Sequence, residues 1–219
     1  MKKYLEILKK CPLFEGIDEN DLLKMLNCLD ARVEFFNKKH TVLSEGAVAK
    51  YIGVVLSGEI QISNIDYSGN RSLRGRMSES EIFAEEFACA GLQSTPVAFI
   101  AAEDSEIMLI NCSHIVHTCA QNCSFHQKLI YNLMNALAKK TITFHHKIEI
   151  TSKRTTREKL MAYLFMISSE NHNDEFEIPF DRQELADYLE VDRSGLSTEI
   201  SKLKAEGVIE SERKHFKLL

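Results

Sequence analysis

The C-terminal region holds a cluster of cationic and hydroxyl side chains that could bind nucleic acid. Between Asp192 and Gly207 the apolar residues recur at helical spacing, so the polar residues share the opposite face of one helix. These outward residues are Arg193, Ser194, Ser197, Thr198, Ser201 and Lys202. Guanidinium, ammonium and hydroxyl groups on such a face can bond to base edges and phosphates in the major groove of DNA. The spacing therefore predicts a helix that reads duplex DNA.

A shorter helix is predicted immediately before this one. Asp181 is placed to cap it, and Glu190-Val191-Asp192 forms the turn to the second helix, which Asp192 caps. The predicted buried residues are Leu185, Ala186 and Leu189 in the first helix and Leu196, Ile200 and Leu203 in the second. The small side chain of Ala186 allows the two helices to cross at a steep angle. The pattern is typical of a helix-turn-helix.

A β-hairpin is predicted after the second helix. Gly207 ends that helix, and the segments Val208–Glu210 and His215–Leu218 have the composition of two short strands. Arg213 and Lys214 would form the tip of this hairpin. The region is therefore expected to be a winged helix-turn-helix.

The charge of the chain requires a local basic face for any contact with DNA. The net charge is -5, and residues 151–219 contain 11 Lys and Arg against 14 Asp and Glu. DNA affinity depends on where the cations lie, and the local cations are Arg182, Arg193, Lys202, Lys204, Arg213, Lys214, Lys153, Arg154 and Arg157. We expect Arg182 and Gln183 to hold phosphates and Arg193 to read a base, guanine by preference. A winged helix used only for protein contacts is the alternative.

The N-terminal half has a sequence pattern typical of two short helices followed by a β-structure. Short β-rich runs are separated by turn residues such as Gly46 and Gly58. The predicted strands are Val33–Phe36, Thr41–Leu43, Tyr51–Leu56, Ile60–Ile65, Ala98–Ala102 and Ile107–Ile110. We expect an α+β fold that consists of an N-terminal β-barrel or jelly roll, a long dimerisation helix and the winged helix-turn-helix.

The long helix is predicted from a stretch without Gly or Pro that extends from about residue 114 to 170. Its apolar stripe consists of Ile130, Leu133, Leu137, Thr141, Phe144 and Ile148. A parallel coiled coil with a second copy of the chain would cover this stripe, and coverage by the barrel is the alternative. Thr151 and Ser152 have N-cap chemistry, which places a hinge there. The expected domains are residues 1–123, 124–150 and 151–219.

The whole chain resembles the Crp/Fnr family of bacterial transcription factors. The residues that carry the resemblance are Pro12-Leu13-Phe14, Gly46, Leu56-Ser57-Gly58, Ile82-Phe83-Ala84-Glu85 and Arg182-Gln183-Glu184-Leu185-Ala186. The resemblance implies a cytoplasmic, sequence-specific DNA-binding regulator without catalytic residues, metal or cofactor. The implied partners are a double-stranded DNA operator, a second copy of the chain, an unknown small-molecule effector and, for an activator, RNA polymerase. No membrane association is expected.

The resemblance also points to an effector pocket that consists of Phe83, Ala84, Glu85, Thr95 and Pro96. Relatives that bind cyclic AMP have a glycine where this chain has Ala84, and an arginine and a serine where it has Thr95 and Pro96. No arginine occurs between residues 76 and 154, and a buried phosphate is hard to stabilise without a cation. We therefore expect control by a different effector or by a redox signal.

The recognition helix departs from its relatives too. Ser194 and Thr198 stand where relatives carry a glutamate and a second arginine, so the operator should differ. Glu190 stands in place of the usual turn glycine. If the turn requires a left-handed conformation, a glutamate there costs about 1 kcal/mol of stability relative to glycine.

The cysteines and histidines leave two interpretations open. The chain has six cysteines and shows no secretory signal, which favours reduced thiols. Soft ligands at helical spacing are Cys112, His114, His117, Cys119 and Cys123. They are either ordinary buried cysteines and surface histidines, or a metal or redox sensor. Cys11 and Cys28 are too few to hold an iron–sulfur cluster.

Two other functions fit a jelly roll. One is a metal-dependent enzyme of the cupin type, which is disfavoured because His40 stands alone among the strands. The other is a regulator that needs no effector because side chains fill its barrel.

Overall fold

The contacts within the chain separate it into two units, the first ending at Lys139 and the second extending from Lys140 to Leu219. This computed structural model describes residues 2–65, 71–116 and 124–219. Helix α5 (Ser124–Thr151) begins in the first unit and ends in the second. Among the described residues, no helix is long and apolar enough to cross a membrane.

The first unit begins with helices α1 (Leu5–Lys10) and α2 (Glu19–Cys28) and continues as a β-structure. Asp18 caps α2, because its carboxylate accepts hydrogen bonds from the backbone N–H groups of Asn20 and Asp21. The strands are β1 (Arg32–Phe36), β2 (Thr41–Leu43), β3 (Tyr51–Ser57), β4 (Ile60–Ile65), β5 (Arg71–Met77), β6 (Ile82–Phe83), β7 (Ala98–Ala101) and β8 (Ser105–Asn111). Two short helices, α3 (Glu85–Ala90) and α4 (Cys112–Val116), follow β6 and β8.

These strands form two antiparallel four-stranded sheets, in the orders β1-β8-β3-β6 and β2-β7-β4-β5. Eight antiparallel strands in two sheets confirm the predicted β-architecture. Strands β5 and β6 were not predicted individually.

Strand β3 is buried on both of its faces. Ile52, Val54 and Leu56 pack against the N-terminal helices, whereas Val55, on the opposite face, packs against the second sheet. Alternation of side chains along a strand explains this division, because successive residues point to opposite sides of the sheet. The sheet β1-β8-β3-β6 therefore lies between a layer of helices and a second sheet.

Aromatic rings fill much of the space between the two sheets. The ring centroid of Phe99 lies 5.1 Å from that of Phe83 and 6.2 Å from that of Phe87. Gly53 on β3 lies directly beside the Phe83 ring. The close packing of Phe83 thus requires a residue without a side chain at position 53.

Besides the C-terminal part of α5, the second unit contains three helices and a small sheet. Helices α6 (Thr156–Asn171), α7 (Arg182–Leu189) and α8 (Arg193–Ala205) precede or flank the strands β9 (Glu175–Glu177), β10 (Ile209–Glu212) and β11 (His215–Leu218). The strands pair antiparallel in the order β10-β11-β9. The fold class predicted from the sequence, with its barrel, long helix and winged helix-turn-helix, is confirmed.

The residue that caps α6 differs from the prediction. The hydroxyls of Thr151 and Ser152 donate to the carbonyls of Lys147 and Glu149 in the last turn of α5, so they do not cap the next helix. Thr155 is the cap. Its hydroxyl accepts from Glu158 N–H at 3.1 Å, and the Glu158 carboxylate accepts from Thr155 N–H at 3.0 Å. This reciprocal pair needs a Glu three residues after the cap, which Thr151 and Ser152 lack.

We predict that Gly53→Ala destabilises the first unit. A Cβ at position 53 would lie 2.1 Å from a ring carbon of Phe83, and overpacking of this kind costs about 1–3 kcal/mol. Urea unfolding measures the change. The matched control is Gly75→Ala on β5, where the nearest atom to an added Cβ is 3.9 Å away and no such loss is expected. Equal stability losses in the two variants would contradict the prediction.

Candidate nucleic-acid interface

Helices α7 and α8 are each fixed at the N-terminus by an aspartate. The Asp181 carboxylate accepts from the backbone N–H groups of Gln183 (2.8 Å) and Glu184 (2.9 Å), and the Glu184 carboxylate accepts from Asp181 N–H at 2.7 Å. Asp192 accepts from Gly195 N–H at 2.9 Å. The backbone hydrogen bond from Glu184 lowers the pKa of Asp181, and the hydrogen bond from the Ser194 hydroxyl lowers that of Asp192. Both caps are therefore ionised at neutral pH.

The turn between the helices depends on Glu190. This residue adopts the left-handed conformation, with φ 53° and ψ 54°, as the sequence comparison with a turn glycine suggested. Lys159 on α6 holds the turn in place, because its ammonium group donates to the carbonyls of Leu189 (3.2 Å) and Glu190 (3.3 Å). The angle between α7 and α8 is therefore supported from α6.

The inner faces of the two helices are as predicted. The buried residues are Leu185, Ala186 and Leu189 on α7 and Leu196, Ile200 and Leu203 on α8. Phe180 stacks on Tyr188 with ring centroids 4.8 Å apart, and both rings contact Tyr163 on α6. Lys147 on α5 lies over the Tyr188 ring and donates to the Tyr188 carbonyl. Burial lowers the pKa of Lys147.

The outward face of α8 is exposed along its length. The exposed residues are Arg193, Ser194, Ser197, Thr198, Ser201 and Lys202. Three of the hydroxyls donate to carbonyls four residues earlier, each at 3.0 Å, and their oxygens keep lone pairs to accept further bonds. The Ser194 hydroxyl donates to the Asp192 cap. Within the described part of the chain, the guanidinium group of Arg193 makes no hydrogen bond or ion pair.

Arg182 is only half exposed, unlike Arg193. Its guanidinium carbon lies 5.6 Å from the centroid of the Phe216 ring, and burial lowers its pKa. Its Nη1 is buried without a hydrogen-bond partner among the residues described. The neighbouring Gln183 is exposed and donates from Nε2 to Asp187 at 2.8 Å. Arg182 therefore contributes to packing between α7 and the wing.

The wing is a tight hairpin whose tip is Arg213 and Lys214. Glu212 pairs with His215, so Arg213 and Lys214 form the whole loop between the strands. Arg213 has a φ of 51°. Arg213 is exposed, whereas the Lys214 ammonium donates to the Pro179 carbonyl at 2.7 Å. The tip thus presents Arg213 as an exposed cation, whereas Lys214 is hydrogen-bonded to the rest of the unit.

Two further predicted cations are engaged within the unit. Lys204 donates to the Ser211 carbonyl at 2.9 Å, which ties α8 to β10. Arg157 pairs with Glu206 at 3.0 Å through Nη1 and lies 3.6 Å from Glu199. Its positive charge is compensated, so Arg157 adds little to a basic face, contrary to the expectation from the sequence.

The predicted effector-pocket residues lie at one side of the β-structure but do not all line a cavity. Phe83, Ala84, Glu85 and Thr95 are buried, and Pro96 is exposed. The Thr95 hydroxyl donates to the Ser44 carbonyl at 3.1 Å, so it is used by its own loop. Phe83 and Ala84 line a cavity of about 270 Å³, which the other three residues do not reach.

Apolar side chains and two cations surround this cavity. Its remaining walls consist of Phe36, Val42, Leu43, Val48, Ala49, Tyr51 and Leu109, with Arg32, Glu34 and Lys50 as the charged residues. The Arg32 guanidinium lies 4.5 Å from the Tyr51 ring centroid, and its Nε lies 2.8 Å from the Glu34 carboxylate. Sequence reasoning missed this wall because its residues come from separate strands.

The predicted dimer stripe requires a correction in its first half. Leu133 is 3% exposed and belongs to the core of the first unit, and Ile130 and Leu137 pack against that core. Leu133 is therefore covered by its own chain and cannot reach a partner. Thr141, Phe144 and Ile148 are exposed, as an interface requires.

The predicted cysteine and histidine cluster is only partly described. Cys112 and His114 lie on α4, whereas His117, Cys119 and Cys123 lie outside the described residues. The neighbour of Cys112 is Cys89 on α3, which the sequence analysis did not single out. Among the residues described, no three His, Cys, Asp or Glu side chains are grouped as a metal site.

We predict that Glu190→Gly stabilises the protein by about 1 kcal/mol, because glycine adopts the left-handed conformation without a Cβ clash. The carbonyl that accepts from Lys159 is retained in the variant. Thermal or urea unfolding of the second unit checks the gain. Glu210→Gly is the control, since that exposed strand residue is not in the positive-φ region and should lose stability. Destabilisation by Glu190→Gly would contradict the role of the turn.

Comparisons with known proteins agree with this architecture. A cyclic nucleotide-binding domain family matches residues 33–122, and a Crp-like helix-turn-helix domain family matches residues 158–219. No curated protein matches the chain.

Solved structures show the same fold over nearly the whole chain. The catabolite activator protein of Thermus thermophilus is 17% identical, with a TM-score of 0.57 over 95% of this chain and 93% of its own. The c-di-GMP responsive global regulator CLP of Xanthomonas campestris is 17% identical, with a TM-score of 0.60 over 90% and 98%. DNR of Pseudomonas aeruginosa is 18% identical, with a TM-score of 0.51 over 100% and 95%. With both domain families in this order, the chain belongs to the Crp/Fnr family of DNA-binding transcription regulators.

Proposed function

We propose that this regulator reads its operator with the exposed face of α8 and is controlled from its first unit. The observation that carries the proposal is Arg193, an exposed cation in the first turn of α8, a helix that Asp192 caps and whose preceding turn is held by Lys159. A regulator of duplex DNA acts where the chromosome is, which supports a cytoplasmic location. If it activates transcription, its further partner is RNA polymerase. A cupin-type enzyme is not proposed, because both matched domain families describe a different protein class.

Arg193 is assigned the role of reading a base. The first turn of a recognition helix approaches base edges, and the guanidinium fork matches the O6 and N7 acceptors of guanine. Because Arg193 has no ion pair within the described residues, it need not break one to reach DNA. Ser194, Ser197 and Thr198 present hydroxyl oxygens beside it.

The phosphate contacts are assigned to cations around this helix. Lys202 is exposed on α8, and Arg213 and Lys214 form the tip of the wing. Arg182 and Gln183 lie in the first turn of α7, which in such motifs crosses the DNA backbone. Such contacts position the protein without reading sequence.

We predict that Arg193→Ala and Arg213→Ala weaken DNA binding in different ways. Loss of the Arg193 fork should remove about 1–3 kcal/mol of discrimination at one symmetric pair of operator positions. Loss of Arg213 should weaken all sequences alike and reduce the salt slope by about one unit. Binding to a set of single-base operator variants at several salt concentrations separates the two effects.

Gln183→Ala should also weaken all sequences alike, but it should leave the salt slope unchanged because the Gln183 side chain carries no charge. Arg182→Ala is less informative, because it also removes the contact with Phe216. Identical binding profiles for Arg193→Ala and Arg213→Ala would refute the assignment of roles.

Dimerisation is proposed through a seam on α5 that differs from the stripe predicted from the sequence. Large apolar side chains are exposed in both units, at Tyr131 (62%) and Met134 (65%) in the first and at Phe144 (55%) and Ile148 (64%) in the second. The exposed residues at alternating spacings of three and four are Tyr131, Met134, Ala138, Thr141, His145 and Ile148. This is the spacing of a two-stranded coiled coil, which a second copy in parallel orientation would cover.

We predict that Met134→Asp and Ile148→Asp each raise the dimer dissociation constant by about tenfold or more, because each would place a charge in an apolar seam. Sedimentation across a concentration series measures this change. Lys139→Asp is the control, as it changes charge outside the seam and should leave the dimer intact. Unchanged association of both seam variants would rule out this interface.

Effector control is proposed to act through the cavity beside Phe83 and Ala84. A ligand that fits about 270 Å³ would place an apolar body against the wall and a carboxylate or other anionic group near Arg32 and Lys50. Cyclic AMP is not the proposed ligand, because Thr95 is engaged with Ser44 and Pro96 has no N–H to offer a phosphate.

A further inference from the structure

Two thiols approach each other between α3 and α4. The Sγ atoms of Cys89 and Cys112 lie 3.3 Å apart, although the residues are 23 positions apart in the chain. Cys89 is exposed, whereas Cys112 is 5% exposed. We propose that Cys89 and Cys112 are a modification site, at which a peroxide forms a reversible disulfide.

The geometry favours bond formation with little movement. A disulfide holds its sulfur atoms about 2.05 Å apart, so the two atoms must approach by about 1.2 Å. Cys89 is the penultimate residue of α3. Gly91 follows this helix with a φ of 63°, and no atom lies within 4 Å of where a Cβ on Gly91 would be. Cys112 is the first residue of α4. Both sulfurs are therefore attached at the ends of short elements.

The surroundings decide which sulfur ionises first. The hydrogen bond from the Cys89 thiol lowers the pKa of Cys112, whereas the same bond raises the pKa of Cys89. Partial burial and the carboxylates of Glu85 and Glu86 raise the pKa of Cys89 further. Cys112 is therefore the thiol of the pair that ionises more readily, and Cys89 provides the second sulfur.

The reaction balances with hydrogen peroxide as oxidant. The Cys112 thiolate attacks one peroxide oxygen, which breaks the O–O bond and releases hydroxide, leaving Cys112 as a sulfenic acid. The Cys89 sulfur then attacks Cys112 Sγ, forms the S–S bond, loses its proton and displaces hydroxide. The two sulfurs lose two electrons in total, and the hydroxides and released protons give two water molecules. A dithiol reductant reverses the reaction by exchange.

The other described cysteines differ from this pair. Cys11 is fully buried, and burial raises its pKa to about 12, so its thiolate is scarce. Cys28 is exposed on α2 and offers a matched control for reaction at an accessible thiol. Cys119 and Cys123 lie outside the described residues, so the experiment must separate them from the pair by sequence position.

The location of the disulfide connects it to the cavity wall. Helix α3 begins immediately after Ala84, and the backbone N–H of Cys112 donates to the Lys50 carbonyl at 3.1 Å. Both Ala84 and Lys50 line the cavity. A bond between Cys89 and Cys112 would therefore link two segments that adjoin this wall.

The test treats the reduced full-length protein with one equivalent of hydrogen peroxide and alkylates the remaining thiols. Peptide mass spectrometry should find Cys89 and Cys112 in one linked species, two fewer alkylated thiols and full recovery of both after dithiothreitol. Cys28→Ser and the double variant Cys119→Ser/Cys123→Ser should form the same link. Cys89→Ser and Cys112→Ser should each abolish it, with folding checked by circular dichroism.

Retention of all six thiols by the peroxide-treated protein would overturn the proposal. So would a link that joins Cys89 or Cys112 to another cysteine instead. If the two serine variants fail to fold, the wild-type and Cys119→Ser/Cys123→Ser peptide maps still decide the outcome. The readout involves no DNA, so its result is independent of the proposed operator contacts.

Discussion

The attachment of α5 to the first unit determines which surfaces of the regulator remain available. Leu129 and Leu133 are buried in the helical layer, and the Asn132 side chain donates to the carbonyls of Leu13 (3.0 Å) and Glu15 (2.8 Å). A buried amide that satisfies two backbone carbonyls permits little rotation of the helix, because any turn would leave those carbonyls unpaired. The rotation of α5 is thereby fixed, and the face that carries Tyr131 and Met134 is left exposed. The proposed dimer seam thus follows from an intrachain constraint.

The second unit of a DNA-binding regulator must bind a polyanion, although its own acidic residues outnumber its basic ones. Asp181 and Asp192 hold the starts of α7 and α8, so both helices of the helix-turn-helix begin at a carboxylate. Nearby cations must offset the negative charge of these caps in any contact with DNA. Arg193 is placed beside Asp181 closely enough to lower its pKa. Affinity therefore depends on a few cations in defined positions, which favours sequence-specific over general binding.

The sequence predicted the features that depend on local rules. The caps at Asp18, Asp181 and Asp192, the left-handed Glu190 and the inner faces of α7 and α8 each follow from residues a few positions apart. The phase of the apolar stripe on α5 could not be assigned in the same way. A helix that packs on its own core and also exposes an apolar seam has two apolar faces, and spacing alone does not say which face meets which neighbour. Leu133 and Met134 are adjacent in sequence but lie on these different faces.

Long-range contacts could not be predicted from the sequence for a related reason. Cys112 was noted as one member of a helical cluster, but Cys89 comes next to it only because β7 and β8 return the chain to α3. The cavity wall is similar, since Arg32 and Lys50 meet through the pairing of β1 and β3 with β8. In cyclic AMP-binding relatives the cation follows α3, whereas this chain has Thr95 and Pro96 there and carries the cations Arg32 and Lys50 at the cavity. An anionic effector would consequently be held by Arg32 on β1 and by Lys50, which immediately precedes β3.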